Sequence, residues 1–392
     1  MQNCSNTNAD KMIYLDYAAT TPLDSRILPA MQSCMTMEGV FGNSASSHLF
    51  GRSAHELIEA ARVQVAASIG GDWQEIIWTS GATESNNLAL KGAASLWQRK
   101  GKHIITMKTE HKSVLDTCLY LEKIGYRVTY LEPQANGLLD LNQLADAFCS
   151  DTILVSIMHV NNETGIAQDI KTIAEIVKEK GALFHVDAAQ SFGKLPINVG
   201  DTPVDLLSLS AHKIYGPKGI GALFLRRKPR VRVEPLIHGG GHEQGMRSGT
   251  LPTHQIVGMG LACEIGSIGW QSEYHRIKCL QQYFMKALEG LPVSFNGSFD
   301  ANQIPHIINI QFDGMIADAL LAEIPHIAAS KASACQGQGI EGSYVLRAMG
   351  RSADEIQSAV RFSLGRFTTQ DDIEKTIESI YRLMKPGQYH VV

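Results

Sequence analysis

The chain has 392 residues, 44% hydrophobic and 19% charged, the balance of a soluble globular protein long enough for two domains. Its 35 basic residues against 39 acidic ones give a net charge of −4, which leaves no electrostatic footprint for nucleic acid or an anionic membrane. The opening "MQNCSNTNADKM" lacks the apolar core of a signal peptide and no uncharged apolar run is long enough to span a bilayer, so a cytoplasmic protein is expected.

From about residue 52 to 262, short apolar runs alternate with amphipathic stretches, the pattern of an α/β domain with a mainly parallel sheet and helices on its faces. The predicted strands are 75–80 (EIIWTS), 103–107 (HIITM), 127–131 (RVTYL), 152–158 (TILVSIM), 182–187 (ALFHVD), 205–210 (DLLSLS) and 221–226 (GALFLR). Among the helical stretches, "DIKTIAEIVKEKG" carries Ile170, Ile173, Ile176 and Val177 at helical spacing. After about 265 come a long helical stretch, strands at 306–312 and 359–365, and a closing helix from about 370 to 385. This order predicts a large α/β domain over 18–262 and a smaller α+β domain formed by 1–17 and 263–392.

Ligands of open α/β sheets bind beyond the carboxyl ends of the strands, so the residues there are the candidates for chemistry. After 75–80, "SGATESNN" opens a helix with Ala82 and Thr83 in its first turn, where free N–H groups and the helix dipole favour a phosphate. After 103–107 comes His111, and after 152–158 comes "HVNNETG" with Asn162. Asp187 ends the strand 182–187 and is followed by Gln190; a carboxylate there must be paired or solvated. After 205–210, Ser210 and His212 precede Lys213, an amine at the end of a buried strand.

Each residue alone reads as an ordinary loop or cap residue. Together they supply what pyridoxal phosphate needs: Lys213 for a Schiff base with the aldehyde, Asp187 for the pyridine nitrogen and Gln190 for the phenolic oxygen. His111 is then placed to stack on the ring, and Thr83, Ser210 and His212 to bind the phosphate. The seven cysteines are scattered without a C-x-x-C pair, so neither a disulfide framework nor a metal site is expected. Cys335 stands apart from the others in "SKASACQGQGIEGSYVL", a polar, glycine-containing loop that suits a reactive thiol.

The blocks "YLDYAATTPLD", "TSGATESNN", "TEHKSVL", "MHVNNETG", "HVDAAQS", "SAHKIYGPKG", "RSGTLP" and "RFSLGRFT" resemble, in order over roughly 13–380, those of cysteine desulfurases of the NifS/IscS group, which are fold-type I pyridoxal phosphate enzymes. The resemblance implies conversion of L-cysteine to L-alanine with Lys213 as the Schiff-base lysine and Cys335 as the persulfide-forming acceptor. It also implies a homodimer in which Thr250 reaches the partner subunit's phosphate, Arg361 clamping the substrate carboxylate, and Asn162 near ring and substrate. A sulfur-acceptor protein, either an iron–sulfur scaffold or a thiolation carrier, is the implied partner. The chain departs from the group's pattern at Ser44 in "GNSAS", at Gln244 and Gly245 before the RSGT block, and in "QGQGIEG" after Cys335. It ends without the longer tail by which IscS-type members dock a scaffold. Within the same fold the alternatives are a selenocysteine lyase or an aminotransferase, and from another class a metal-dependent hydrolase built on His185, Asp187, His238 and His242.

Overall fold

Seven strands form one sheet: β1 (Ile76–Thr79), β2 (His103–Met107), β3 (Arg127–Leu131), β4 (Thr152–Met158), β5 (Leu183–Asp187), β6 (Leu206–Ser210) and β7 (Gly221–Leu225). The computed structural model from which they are read describes residues 12–298, 302–331 and 342–384. All but β3 are buried along their whole length, which is why they read as continuous apolar runs and not as alternating ones. Both faces of the sheet are covered. Helices α2 (Ala82–Trp97) and α3 (Lys112–Lys123) bury Leu88, Ala89, Cys118 and Leu121 against one face. On the other, α1 (Leu49–Ser68), α4 (Ile170–Glu179) and the first part of α5 (Thr253–Ala287) bury Ile58, Val65, Ile173, Val177 and Ile256.

The strand order is β1-β7-β6-β5-β4-β2-β3. Strands β2 to β6 pair in parallel, and β7 runs antiparallel to both β1 and β6. The carboxyl ends of β4, β5 and β6 therefore lie side by side at one edge, and the residues just beyond them share that edge.

A second, antiparallel sheet contains β8 (Val293–Asn296), β9 (Ile307–Phe312), β10 (Ser330–Lys331) and β11 (Ala359–Ser363), in the order β10-β11-β9-β8. Its core gathers Ile308, Ile310, Phe312 and Phe362 with Phe284 from the end of α5 and Ile377 from the closing helix α6 (Gln370–Met384). Ile13 and Leu15 join this core, and Ile13–Tyr14 pairs in parallel with Ile327–Ala328.

Helix α5 begins at Thr253, well before the change of texture near 265, and runs unbroken to Ala287. Its early residues Ile256, Met259, Ala262 and Cys263 belong to the large core, and Ile277, Leu280 and Phe284 to the small one. No residue from 264 to 276 is buried. The helical periodicity continues through a stretch where the buried partner changes, so composition there marks a change of neighbour and not an end of the helix. No helix among the described residues is long and apolar enough to cross a membrane.

One buried ion pair ties the glycine-rich loop 239–249 to the sheet. Glu243 accepts two hydrogen bonds from the Arg62 guanidinium, at 2.8 and 2.9 Å, and a third from the backbone N–H of Trp78 at 2.8 Å. Glu243 and Gln244 hold left-handed backbone conformations, φ +52° and +57°, which non-glycine residues adopt only when their surroundings enforce it. Replacing Arg62 by leucine leaves a buried, uncompensated carboxylate, so the variant is expected to lose about 3–5 kcal/mol of stability in urea unfolding; a loss under about 1 kcal/mol would show that this pair does not hold the loop.

Candidate active site

The ends of β4, β5 and β6, the start of α2 and residues 18–20 enclose a cavity of about 530 Å³. Lys213 reaches it from a one-turn helix, Ala211–Lys213, that follows β6 directly. Lys213 is half-buried at the cavity wall. It donates to the main-chain carbonyls of Ala18 at 2.5 Å and Ala19 at 2.7 Å.

Asp187, the last residue of β5, is buried. Its carboxylate accepts from the Asn86 side chain at 2.7 Å and from the Ala189 N–H at 2.9 Å. Asn86 also donates to Ser113 Oγ at 2.8 Å. That hydroxyl lies 2.8 Å from His111 Nδ1, so Asp187, Asn86, Ser113 and His111 form one hydrogen-bonded line. His111 caps α3 by accepting the Ser113 N–H at Nδ1, which puts the hydrogen of the neutral ring on Nε2. Burial, with the Lys213 charge adding to it, lowers the His111 pKa and keeps the ring neutral.

The phosphate-sized end of the cavity is the start of α2. Gly81 is the N-cap at φ +148°, a conformation open to glycine, and no side chain caps the first amides of the helix. Ser210 Oγ is buried nearby in the cavity wall without a hydrogen-bond partner. His212 Nδ1 lies 3.1 Å from Thr20 Oγ1, and burial followed by the charges of Lys213, Lys218 and Lys194 pushes its pKa down to about 4.

At the opposite wall Arg361, from β11, is 2% exposed although it carries a charge. It donates to the carbonyl of Asn162 and to Asp16 Oδ1, each at 2.8 Å, while its Nε and the Asn162 Oδ1 have no partner among the described residues. Gln190 donates to the Ala18 carbonyl at 2.8 Å.

Of the residues singled out by sequence, Ala82, Thr83, His111, Asn162, Asp187, Gln190, Ser210, His212, Lys213 and Arg361 all line this one cavity. Thr250 does not; it is exposed and outside it. Cys335 lies outside the described residues. The hydrolase constellation does not assemble. His185 is fixed by Ser156 Oγ at 2.8 Å and Ser208 Oγ at 2.9 Å, with burial lowering its pKa to about 3, and His238 is exposed. Among the described residues no cluster suited to a metal ion is present.

Sequence reasoning missed Asn86, Glu110, Glu163 and Lys194. Asn86 had a signal, a polar residue on the buried face of an otherwise apolar helix. The other three are marked only by burial, which spacing does not reveal. Glu110 accepts the Met158 N–H at 2.7 Å, and burial raises its pKa well above the usual carboxylate range.

The class-V aminotransferase family profile matches residues 13–376. The chain belongs to the class-V aminotransferase family. It is 54% identical to the cysteine desulfurase IscS of Photorhabdus laumondii over 94% of this chain and 92% of that protein. Against the cysteine desulfurase IscS of Klebsiella pneumoniae the identity is again 54%, over 94% and 91%. Among solved structures it is similar to a NifS-like protein (TM-score 0.89, 34% identity, 95% of this chain and 99% of that one). It is also similar to SspA in complex with cysteine (TM-score 0.82, 39% identity, 91% and 100%).

Pyridoxal phosphate is the cofactor of the family, and the cavity fits it. Ser210 Oγ, Asn162 Oδ1 and Arg361 Nε are buried polar atoms without partners among the described residues. Leaving such a group unpaired costs about 1–3 kcal/mol, so three in one cavity wall are accounted for by a polar, charged ligand.

Glu163, next to Asn162, supports this wall from behind. It accepts a hydrogen bond from Ser343 Oγ, and burial raises its pKa to about 7 against the opposing effects of Ser343 and Arg361. A raised folded-state pKa means that the contribution of Glu163 to stability is full below its ordinary value of 4.5 and is lost as pH rises through 7. Glu163→Gln is therefore expected to gain about 1–3 kcal/mol relative to the wild type between pH 4.5 and 7.5 in urea unfolding. A pH-independent difference between the two proteins would mean that Glu163 titrates normally.

Proposed function

We propose that this chain is a cysteine desulfurase that converts L-cysteine to L-alanine and leaves the sulfur as a persulfide on Cys335, for delivery to a protein acceptor in iron–sulfur cluster assembly or thiolation. The observation that carries the reading is that the Lys213 amine and the Asp187 carboxylate, 26 positions apart in sequence, end adjacent parallel strands and face one cavity beside an uncapped helix N-terminus. The 54% identity to proteins named cysteine desulfurase selects this activity within the family.

In this reading Lys213 attaches the cofactor through its amine, and the α2 amides at Ala82 and Thr83, with Ser210 and His212, hold the phosphate. Asp187 holds a proton at the pyridine nitrogen, with Asn86 and the Ala189 N–H fixing its carboxylate. Gln190 donates to the phenolic oxygen, and His111 faces the ring as a neutral imidazole. When bound, pyridoxal phosphate supplies an electron sink for the charge that develops at the substrate Cα. Arg361, already bound to the Asn162 carbonyl and Asp16, keeps Nε for the substrate carboxylate. Lys213, displaced by the substrate amine, takes the Cα proton and returns it to the product. The Cys335 thiolate attacks the substrate sulfur; the S–S bond forms as the C–S bond breaks, and the electron pair of that bond stays with the carbon skeleton.

The proposed homodimer is supported by exposed Met35, Met37, Phe41, Leu49 and Phe50, apolar side chains concentrated in one segment, 35–50. Thr250, exposed and away from the cavity of its own chain, is free to reach the partner subunit's phosphate. The expected location is the cytoplasm.

Lys213→Ala is expected to abolish alanine formation, and borohydride reduction of the wild-type holoenzyme should fix the cofactor on the peptide containing Lys213. Label on a different lysine would overturn the assignment. Cys335→Ser is expected to bind the cofactor normally yet form neither alanine nor persulfide; mass spectrometry that finds the added sulfur on another cysteine, with this variant still active, would remove Cys335 from the mechanism.

A further inference from the structure

Lys194 is a buried amine beside the site that the proposed chemistry does not use. It is 8% exposed, and among the described residues its Nζ has a single hydrogen-bonding side chain, Gln190 Oε1, at 3.0 Å. The two residues lie four apart on a turn that follows β5, where the N–H of Phe192 donates to the Ala188 carbonyl and the N–H of Lys194 to that of Ser191. That spacing puts both side chains on one side of the turn. Among the described residues no carboxylate lies within salt-bridge distance of Lys194, and burial, with Lys213 adding to it, pushes its pKa down to about 7. Charged or neutral, the amine keeps hydrogens to donate.

Gln190 therefore sits between two partners of opposite kind. Lys194 gives hydrogens and the Ala18 carbonyl only accepts them, the latter at 2.8 Å from Gln190 Nε2. One amide orientation satisfies both. The reverse sets oxygen against the Ala18 carbonyl and loses that hydrogen bond, and when the Lys194 amine is charged it sets NH₂ against a group that only donates and loses the second as well. With Oε1 held by Lys194 and one Nε2 hydrogen on Ala18, the second Nε2 hydrogen remains for the cavity that Gln190 lines.

We infer that Lys194 is a positioning residue: by occupying Gln190 Oε1 it fixes the amide with its nitrogen toward the cavity, so that Gln190 meets the phenolic oxygen of pyridoxal phosphate as a donor. The inference rests on the proposed role of Gln190. A donor at that oxygen stabilises the phenolate over the phenol, so loss of the lock moves the protonation equilibrium of the bound cofactor and not only its affinity. Lys194 touches neither substrate nor cofactor in this account.

The test is a double-mutant cycle on the holoenzyme read by the absorption spectrum of the bound cofactor and by its retention on dialysis. Lys194→Met is expected to lower the ratio of visible to near-ultraviolet absorbance at least threefold at fixed pH, and to weaken cofactor retention about as much. Gln190→Met alone should do the same, and adding Lys194→Met to it should change neither quantity by more than about 1.5-fold. Lys194→Gln, whose amide can still donate to Oε1, should keep a ratio within about twofold of the wild type, and this variant carries the test if the methionine variant does not fold. An unaltered spectrum in Lys194→Met, a shift of equal size in the Gln190→Met background, or a folded Lys194→Gln that behaves like Lys194→Met would each overturn the inference. A spectrum unaffected by Gln190→Met alone would instead remove Gln190 from the cofactor site, a separate failure of the underlying reading.

Discussion

The contact between the Lys213 amine and the carbonyls of Ala18 and Ala19 is the constraint on which the site depends, because those carbonyls come from a segment packed in the small core and hydrogen-bonded to the large domain. Ile13 and Leu15 are packed in the small core, Asp16 binds Arg361 of β11, and the Ala18 N–H donates to Ser363 Oγ at 2.8 Å. Three residues beyond Ala18, Thr21 donates its N–H to the His212 carbonyl and its hydroxyl accepts from the Tyr215 N–H. Chain positions 13–21 thus act as a cord drawn across the mouth of the large sheet. Lysine and arginine are both bonded to it, and it is one of the links that hold the small sheet, which supplies Arg361, against the large one.

Burial then sets the protonation states. Glu110 and Glu163 are driven toward the neutral acid, and His111 and His212 toward the neutral ring, each mainly because burial disfavours its charged form. Asp187, between them, is held by the donors Asn86 and Ala189. Neighbours kept neutral by burial let one enclosed volume hold a charged ring without surrounding it by competing charges.

Much of this was legible in the chain because a parallel sheet has a strong signature. Its inner strands are buried on both faces, so runs such as 103–107 and 152–158 stand out without any need for alternation, and those two, with the edge strand 127–131, have the predicted bounds. Strand ends converge by topology, which is how Asp187, Ser210 and Lys213 were found without any contact information. What escaped was whatever depends on a distant partner. Glu243 reads as part of a flexible glycine-rich connection until Arg62, 181 positions away, is seen to hold it. Lys194 reads as a surface lysine because nothing local says that its turn is covered. The start of α5 was placed late because composition follows the neighbour a helix packs on, whereas helix ends follow backbone hydrogen bonds.

That helix carries a thermodynamic consequence. At 35 residues it is about 50 Å long, with each end seated in a different core and the middle in contact with solvent. A helix of this length holds its two ends in a fixed mutual orientation, but only while both are seated, since an unsupported half is marginal in water. Melting either core therefore withdraws an anchor from the other. The two halves share one cooperative transition, and a cut within 264–276 would separate the chain into fragments each missing the scaffold its apolar face was built against.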